Sequence, residues 1–184
     1  MTVTAGDAPP DAKRHLLPGL RLPAITLNST DGKVVDLGKR PGRSIVYVYP
    51  WTGRPGIPNP PGWDDIPGAH GSTPQAEGFR DKYTGFLTSG WEVYGLSGQS
   101  TDWQREFADR LRLPFALLSD LGFSLADALQ LPRFDAGGVA YLERMTLLVS
   151  DGTIVDTVYP VSSPATHAAE LLDRLTASAG AAPV

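Results

Sequence analysis

Four polar side chains of this sequence could together carry out acid–base chemistry. His70, Ser72 and Glu77 lie close together at the end of a long loop and the start of a helix, and Arg144 lies far along the chain. A positioned imidazole or carboxylate exchanges protons, a hydroxyl donates or attacks, and a guanidinium stabilises developing negative charge. The sequence therefore predicts these four residues as catalytic candidates.

Two of these candidates also have purely structural explanations. Ser72, with Gln75 three residues further on, fits a capping box, and Thr73 before Pro74 is an alternative cap. Glu77 would then be a first-turn carboxylate that favours the helix dipole. These are the commoner explanations. The functional alternatives are a Ser72 hydroxyl that also contacts a ligand and a Glu77 carboxylate that acts as a general acid or base.

His70 takes part in two further hypotheses. One is a Ser–His dyad with Ser72, but adjacent residues rarely point at each other productively, and a loop histidine is usually solvated. The other is a metal site formed with Asp64 and Asp65. Three ligands on one mobile loop without a fourth make a weak pattern. We therefore predict no metal and no cofactor.

Arg144 precedes an apolar run that is typical of a buried strand. A buried cation needs a partner. One explanation is a salt bridge to a nearby acid such as Glu143 or Asp81. The other is an anchor for the carboxylate, phenolate or developing oxyanion of a ligand, and this is the explanation we favour.

Aromatic and hydroxyl side chains around the loop could bind a small organic molecule. The candidates for substrate binding are Tyr49, Trp51, Thr52, Trp63 and Thr73. Aromatic rings supply apolar area with a polar edge, although they equally serve as core or loop-packing residues. About twenty irregular residues lie before the helix, where a compact domain usually uses two to six, and such long loops are usually functional or disordered.

An alternation of strands and helices must position these residues. The apolar run Ser44–Tyr49, ended by Pro50, predicts a buried central strand. The next helix begins near Ser72, with Phe79, Tyr83, Phe86 and Leu87 on one face. The other predicted elements are a hairpin of 20–27 with 33–37, a strand at 91–96, a helix with the capping box Thr101-x-x-Gln104, a strand at 114–119, a helix at 121–131, a loop at 133–140, a hairpin of 145–150 with 153–159, and a last helix from Pro164 with Ala168, Leu172 and Leu175 facing inward. This pattern predicts an α/β sandwich around a mixed sheet.

Composition excludes several functional classes. A chain of 184 residues, 41% hydrophobic and 20% charged, is typical of one soluble domain, and its net charge of −4 argues against a nucleic-acid partner. We predict a flexible lead-in at 1–16, one domain at 17–176 and a flexible tail at 177–184. Because no run is membrane-spanning and no signal peptide is recognisable, we predict a cytoplasmic protein without membrane contact. The absence of cysteine excludes disulfides and thiol redox cycling.

Two segments together resemble the active site of a peroxiredoxin. The first comprises the strand end at Tyr49-Pro50, the long loop, and residues 71–81, GSTPQAEGFRD. The second comprises residues 141–154, YLERMTLLVSDGTI. Together they are most similar to the bacterioferritin-comigratory branch of that family, in a version with an enlarged loop. The resemblance covers about residues 17–175.

The resemblance implies a thioredoxin-like, peroxiredoxin-type three-layer sandwich. In that family the position of Ser72 holds the peroxidatic cysteine, and the position of Glu77 can hold the resolving cysteine. The family's arginine that matches Arg144 binds the peroxide and steadies the thiolate. Thr52 would stand for the active-site threonine, whereas Ala69 departs from a position where related proteins often carry threonine. The resemblance also suggests a homodimer, although this branch is often monomeric.

The missing cysteines leave two functional hypotheses. In the first, the former peroxide pocket binds a small organic molecule, anionic or phenolic, and transforms it by cofactor-free acid–base chemistry. In the second, the fold is a non-catalytic scaffold that binds a small molecule or another protein. Laboratory substitution of the two cysteines is a third explanation, but Glu77 beside Ala76 is an unusual choice for inactivation and argues for a natural sequence.

Overall fold

The computed structural model of this protein describes residues 18–180, so the predicted lead-in lies outside the described residues. Nine strands, four α-helices and a short 3-10 helix at Trp63–Asp65 follow one another in this part of the chain. The strands and α-helices are β1 (Thr26–Ser29), β2 (Val34–Asp36), β3 (Arg43–Val48), α1 (Ser72–Thr88), β4 (Trp91–Ser97), α2 (Thr101–Leu111), β5 (Leu117–Ser119), α3 (Ser124–Leu129), β6 (Arg133–Ala136), β7 (Val139–Leu142), β8 (Met145–Ser150), β9 (Thr153–Val158) and α4 (Pro164–Gly180).

Seven of the strands form one mixed sheet in the order β2-β1-β5-β4-β3-β8-β9. Strands β3, β4 and β5 run parallel to one another, whereas β8 lies antiparallel beside β3 and β1 lies antiparallel beside β5. Strand β3 is central, and all of its residues from Ser44 to Val48 are buried. The predicted mixed sheet with an apolar central strand is confirmed.

Helices cover both faces of this sheet. Along β3, Ile45 and Tyr47 belong to the core that α1, α2 and α4 cover, while Val46 and Val48 belong to the core that α3 covers. Successive side chains of a strand point to opposite faces, so a strand buried on both sides is apolar throughout. The predicted three-layer sandwich is therefore confirmed.

The segment at 133–140, predicted to be a loop, instead belongs to a β-hairpin, so that prediction was wrong. Strands β6 and β7 pair along their whole length, apart from the main sheet. Gly137 and Gly138 connect them with φ of 59° and 80°, the left-handed backbone that tight hairpin turns require. Across the pair, the rings of Phe134 and Tyr141 stack with their centroids 5.8 Å apart.

Two helix faces differ in detail from the prediction. On α1, Phe79 and Phe86 are buried as predicted, but Leu87 is 45% exposed. On α4, the fully buried leucine is Leu171 and not Leu172, which packs against the core from a half-buried position. One residue further along a helix turns a side chain by about 100°, enough to move it from the core to the rim.

The start of α2 differs as well. Its N-cap is Ser100, whose hydroxyl accepts a hydrogen bond from the backbone N–H of Trp103 at 3.3 Å. The predicted capping box at Thr101 was therefore wrong by one residue. Gln104, its other member, is instead buried and donates to Ser97 and to the Leu118 carbonyl.

Helix α4 begins at Pro164 as predicted and continues through Gly180, beyond the predicted end of the domain at 176. None of the helices within residues 18–180 combines the length and the apolar character needed to cross a lipid bilayer. The homodimer and the cytoplasmic location stay predictions.

Candidate functional site

Two of the candidate residues, Arg144 and Ser72, meet at the end of the sheet where β3 ends and β8 begins. These strands pair antiparallel with Val48 opposite Met145, so Tyr49 and Arg144 follow beside each other. Helix α1 begins at Ser72 next to this edge. The register therefore brings Arg144 to the start of α1, although the two residues lie 72 positions apart in the sequence.

Helix α1 begins after a glycine and not after a capping serine. Gly71 is the N-cap, with φ of 107°, and no side chain caps the helix. A Cβ at this position would lie 2.8 Å from Cγ of Pro164, so both the backbone and the space favour glycine. Ser72 is the first helical residue, and its hydroxyl contacts Arg144. The capping box predicted for Ser72 and Gln75 was therefore wrong.

Arg144 is buried, and its partners come from the loop and from α1. Its Nη2 donates to Ser72 Oγ at 3.1 Å and to the backbone carbonyls of His70 at 3.2 Å and Ala69 at 3.4 Å. Its Nη1 donates to Gln75 Oε1 at 2.5 Å. Burial lowers the pKa of Arg144 from its ordinary value to about 10, so it remains a cation at neutral pH. Carbonyl and hydroxyl dipoles surround this charge.

The salt bridge considered for Arg144 is not formed. Glu143 accepts a hydrogen bond from the hydroxyl of Tyr159 at 2.5 Å, and Asp81 pairs with Arg80 at 2.9 Å. Both acids are therefore engaged elsewhere. Among the described residues, no carboxylate lies within ion-pair distance of Arg144, which leaves its charge directed at the start of α1.

Gln75 is a site residue for which the sequence pattern indicated only a capping role. Its Nε2, the hydroxyl of Tyr47 and Nε of Arg144 are buried without a hydrogen-bond partner among the described residues. Burial raises the pKa of Tyr47 well above its ordinary value of 10.0, so the phenol stays protonated. The i, i+3 spacing of Ser72 and Gln75, which places both on one helix face, was the available signal.

His70 pairs with Asp64 and not with Ser72. Its Nε2 lies 2.8 Å from Asp64 Oδ1, and the two side chains are 58% and 80% exposed. The predicted Ser–His dyad is therefore not formed. Within residues 18–180, no three histidine, aspartate or glutamate side chains lie close enough together to hold a metal ion. Of the three residues considered for a metal site, only His70 and Asp64 are in contact, and Asp65 does not join them.

Thr52 is buried and fixes the start of the loop against α2. Its N–H and its hydroxyl both donate to Gln99 Oε1 at 3.0 Å. Its carbonyl accepts from Gln99 Nε2 at 3.1 Å and from the indole N–H of Trp103 at 2.7 Å. All of its polar groups are therefore engaged within the protein, and its role at the site is one of support.

Aromatic side chains pack the loop onto the β6–β7 hairpin. Trp63 is 2% exposed, and its ring centroid lies 5.4 Å from that of Trp51, 5.6 Å from Phe134 and 4.9 Å from Tyr141. Tyr49 lies deeper, in the core of the sheet, where burial raises its pKa to about 12. The two tryptophans are thus packing residues of the loop, and Tyr49 is a core residue.

A cavity of about 380 Å³ opens between the loop, the start of α1 and α2. Arg144, Glu77 and Tyr49 do not line it. Glu77 lies about 140° around the helix from Ser72, which turns it away from the opening. Six predicted residues line the cavity, namely Trp51, Thr52, Trp63, His70, Ser72 and Thr73. Three polar side chains of the lining were not identified from the sequence, namely Arg54, Asn59 and Arg110.

Comparison with known proteins agrees with this geometry. The sequence profile of the AhpC/TSA family matches residues 67–157. The chain is 41% identical over 101 residues to the chloroplastic peroxiredoxin Q of Populus jackii, which is 54% of this chain and 40% of that protein. It is 33% identical over 159 residues to the chloroplastic peroxiredoxin Q of Oryza sativa subsp. japonica, which is 85% of this chain and 65% of that protein. The chain resembles the peroxiredoxins of the AhpC/TSA family.

The fold of this peroxiredoxin-like chain matches solved structures of the same kind. It resembles the Xanthomonas campestris bacterioferritin comigratory protein with a TM-score of 0.69 at 26% identity, covering 88% of this chain and 99% of that one. The chain spans only 40% and 65% of the lengths of the two plant relatives. It contains no cysteine, so neither catalytic cysteine of the family is present.

A buried histidine that no sequence pattern indicated lies behind the site of this peroxiredoxin-like protein. His167 on α4 shares a hydrogen bond of 2.8 Å between its Nε2 and Thr146 Oγ1, and its ring packs edge-on against Phe79. Burial lowers the pKa of His167 from 6.5 to about 4. The neutral imidazole is therefore the form that the core accommodates.

Acidification is expected to destabilise the protein through His167. As the pH falls below 6.5 the unfolded chain takes up a proton, whereas the folded protein does so only near pH 4. The contribution of the neutral His167 to the free energy of unfolding is complete above pH 6.5. It is lost progressively down to about pH 4, by at most about 3 kcal/mol. Urea unfolding of the wild type and of His167→Gln across this range checks the expectation, because glutamine can still bond Thr146 but does not titrate. Parallel pH profiles of the two proteins would contradict it.

Proposed function

We propose that this protein is a cysteine-free peroxiredoxin homologue that does not reduce hydroperoxides through a thiol. It binds a small organic molecule, anionic or phenolic, in the cavity at the start of α1, and it transforms that molecule by cofactor-free acid–base chemistry. The observation that carries the proposal is the contact of Arg144 with the Ser72 hydroxyl at the cavity wall. Because no thiol is present, the guanidinium behind this hydroxyl is suited to stabilising negative charge on an oxygen atom and not on a sulfur atom.

The hydrogen-bond directions support a role for Ser72 in binding an oxygen atom. Because Arg144 donates to Oγ, the hydroxyl hydrogen of Ser72 points elsewhere and is free for an acceptor in the cavity. The first N–H groups of a helix have no partner within the helix, and they attract negative charge. A phenolate, carboxylate or enolate oxygen at this point would be stabilised by the hydroxyl, the helix start and the nearby guanidinium.

His70 is the group that could move a proton. It lines the cavity, and its Nε2 is held by Asp64 at 2.8 Å, which leaves Nδ1 for a ligand. A histidine oriented by a carboxylate is the usual form of a general base in proteins. Glu77, by contrast, does not line the cavity, so we assign it no part in the reaction.

The absence of a thiol argues against peroxidase activity on chemical grounds. A serine hydroxyl ionises at far higher pH than a thiol, so even in the field of Arg144 it supplies essentially no alkoxide at neutral pH. It also has no oxidised state equivalent to a sulfenic acid. Rapid, stoichiometric consumption of hydrogen peroxide by the metal-free protein would contradict the proposal.

Small phenols and aromatic acids are expected to stabilise the protein against heat. A ligand present at 100 times its Kd adds about 2.7 kcal/mol to the free energy of unfolding. Thermal unfolding with benzoate and with phenol measures this effect. Thr73→Phe, which fills the cavity from the start of α1, should fold and lose the effect. If neither compound stabilises the wild type more than this variant, the proposed binding site is wrong.

The second candidate function is non-catalytic binding. It is favoured by the position of Arg144, which lies behind Ser72 and the carbonyls of residues 68–70 and does not line the cavity. The two functions differ in what happens to a bound compound. Conversion that is lost in His70→Gln supports the catalyst, whereas recovery of every bound compound unchanged supports the scaffold.

A further inference from the structure

The cavity wall carries positive charge and no carboxylate. Arg54 comes from the start of the loop and Arg110 from the last turn of α2, and both line the cavity together with His70. None of its described lining residues is an aspartate or a glutamate. The mouth of the cavity therefore differs from the overall protein, whose net charge is −4.

Both arginines share a single acid. Glu106 lies with Oε1 2.7 Å from Nε of Arg110 and with Oε2 3.7 Å from Nε of Arg54. Of the other acids on this helix, Asp102 pairs its carboxylate with Arg105 at 3.0 Å, and Asp109 forms no ion pair with Arg54 or Arg110 within residues 18–180. One positive charge at the mouth is therefore not balanced. All three side chains of the cluster are about one-third exposed, so this charge is only partly screened by solvent.

The arginines are held in place beside flat aromatic surfaces. The guanidinium carbon of Arg54 lies 4.2 Å from the ring centroid of Trp103, and its Nη2 donates to the Asp102 carbonyl at 3.0 Å. Nη2 of Arg110 donates to the Gly53 carbonyl at 2.9 Å. The ring of Trp51, a lining residue, lies 6.2 Å from that of Trp103. A stacked, hydrogen-bonded arginine loses little further freedom when it binds a ligand.

We propose that the cavity selects an aromatic carboxylate of one or two rings, whose carboxylate is bound by Arg54 and Arg110 and whose ring lies against Trp51 and Trp63. The inference rests on the proposed function and names its ligand class. Arginine is the side chain best suited to a carboxylate, because its planar fork matches two oxygens. The volume of about 380 Å³ lies in the range of small-molecule pockets and exceeds what a peroxide alone requires.

Matched acids and amides test this inference. The probes are 2-naphthoate and 2-naphthamide, which have the same rings but differ in charge, and binding is followed by calorimetry and tryptophan fluorescence. The wild type is expected to bind the acid about tenfold more tightly than the amide, in keeping with a charge-assisted hydrogen bond at a partly exposed site. Equal affinity for the two probes would overturn the inference.

Substitutions at the mouth give effects of opposite sign. Arg54→Met and Arg110→Met should each weaken 2-naphthoate binding about tenfold and leave 2-naphthamide unchanged. Each variant keeps one arginine for Glu106, so folding should be preserved. Glu106→Gln should instead tighten 2-naphthoate binding, because it removes the competing carboxylate. Arg43→Met is the matched control, since Arg43 also stacks on a tryptophan, Trp91, at 5.1 Å but does not line the cavity.

The outcomes separate this inference from the proposed function. If both probes bind, compete with benzoate, and are unaffected by Arg54→Met and Arg110→Met, the site stands but the arginines do not select the ligand. If neither probe binds the wild type, the proposed function fails and the inference fails with it. An equal loss of both probes in the arginine variants would show a structural role and would also overturn the inference.

Discussion

The Ser72→Cys variant is expected to carry a thiol that is largely ionised at neutral pH and to consume hydrogen peroxide. The new sulfur would stand where Ser72 Oγ lies 3.1 Å from Nη2 of Arg144, at the first residue of α1. A free cysteine has a pKa of about 8.5, and a helix start together with a cation lowers it to about 3.5–7.5. Because the wild type has no cysteine, the variant has a single thiol, and its alkylation rate against pH gives the pKa directly.

The reaction of this variant should stop after one turnover. The thiolate attacks one peroxide oxygen, the O–O bond breaks, and the products are a sulfenic acid and water or hydroxide. No second cysteine is available to form a disulfide with it. One peroxide per chain should therefore be consumed without an added reductant, and mass spectrometry should find one added oxygen.

Two controls identify the cause of the activation. Ser124→Cys places an exposed thiol at the first residue of α3, where the nearby Arg133 is already paired with Asp127 and stacked on Phe123, and its pKa should stay near the ordinary value. Ser72→Cys combined with Arg144→Met keeps the helix start but removes the cation, so burial should raise the thiol pKa. A pKa at or above about 8.5 in the single Ser72→Cys variant would mean that the carbonyls around Arg144 screen its charge completely.

The sequence predicted the architecture well because the central elements carry their own signals. Strand β3 is apolar from Ile45 to Val48, and the Asp151-Gly152 turn between β8 and β9 needs the backbone that those residues favour. The hairpin β6–β7 lacks a local sequence signal of this kind. Its two strands have four residues each, and the aromatic pair Phe134 and Tyr141 is stabilised by Trp63 from a distant loop. Tertiary packing of this kind has no local pattern.

The site was predictable in its position but not in its contacts. Two motifs placed Arg144 near Ser72, and that proximity is present in the structure. The capping box was misassigned because a glycine with positive φ displaced the N-cap by one residue. The arginines at the mouth escaped notice because Arg54 lies in an irregular loop, whose path no periodicity reveals, and it meets Arg110 only through Glu106.

Trp63→Ala is expected to release the loop and the β6–β7 hairpin while the sheet stays folded. Truncation of a buried tryptophan typically costs about 3–5 kcal/mol. The cluster around Trp63 contains only two other buried residues, Ala69 and Ala136, so it cannot close over the space left behind. The two main cores lie in separate clusters around the sheet, and neither includes Trp63. The cost should therefore fall on the loop and the hairpin.

Hydrogen exchange measured by mass spectrometry tests this division. Trp63→Ala should speed amide exchange in residues 50–70 and 133–142 and leave β3, β4 and β8 protected, because local opening needs only the energy of the local unit. Phe86→Ala, which removes a fully buried ring from the core beneath α1, is the matched control and should raise exchange throughout the sheet. The loop also carries Trp51, Arg54 and His70, so the same variant should lose 2-naphthoate binding. Uniform acceleration of exchange across the sheet in Trp63→Ala would instead mean that the loop and the core form a single cooperative unit.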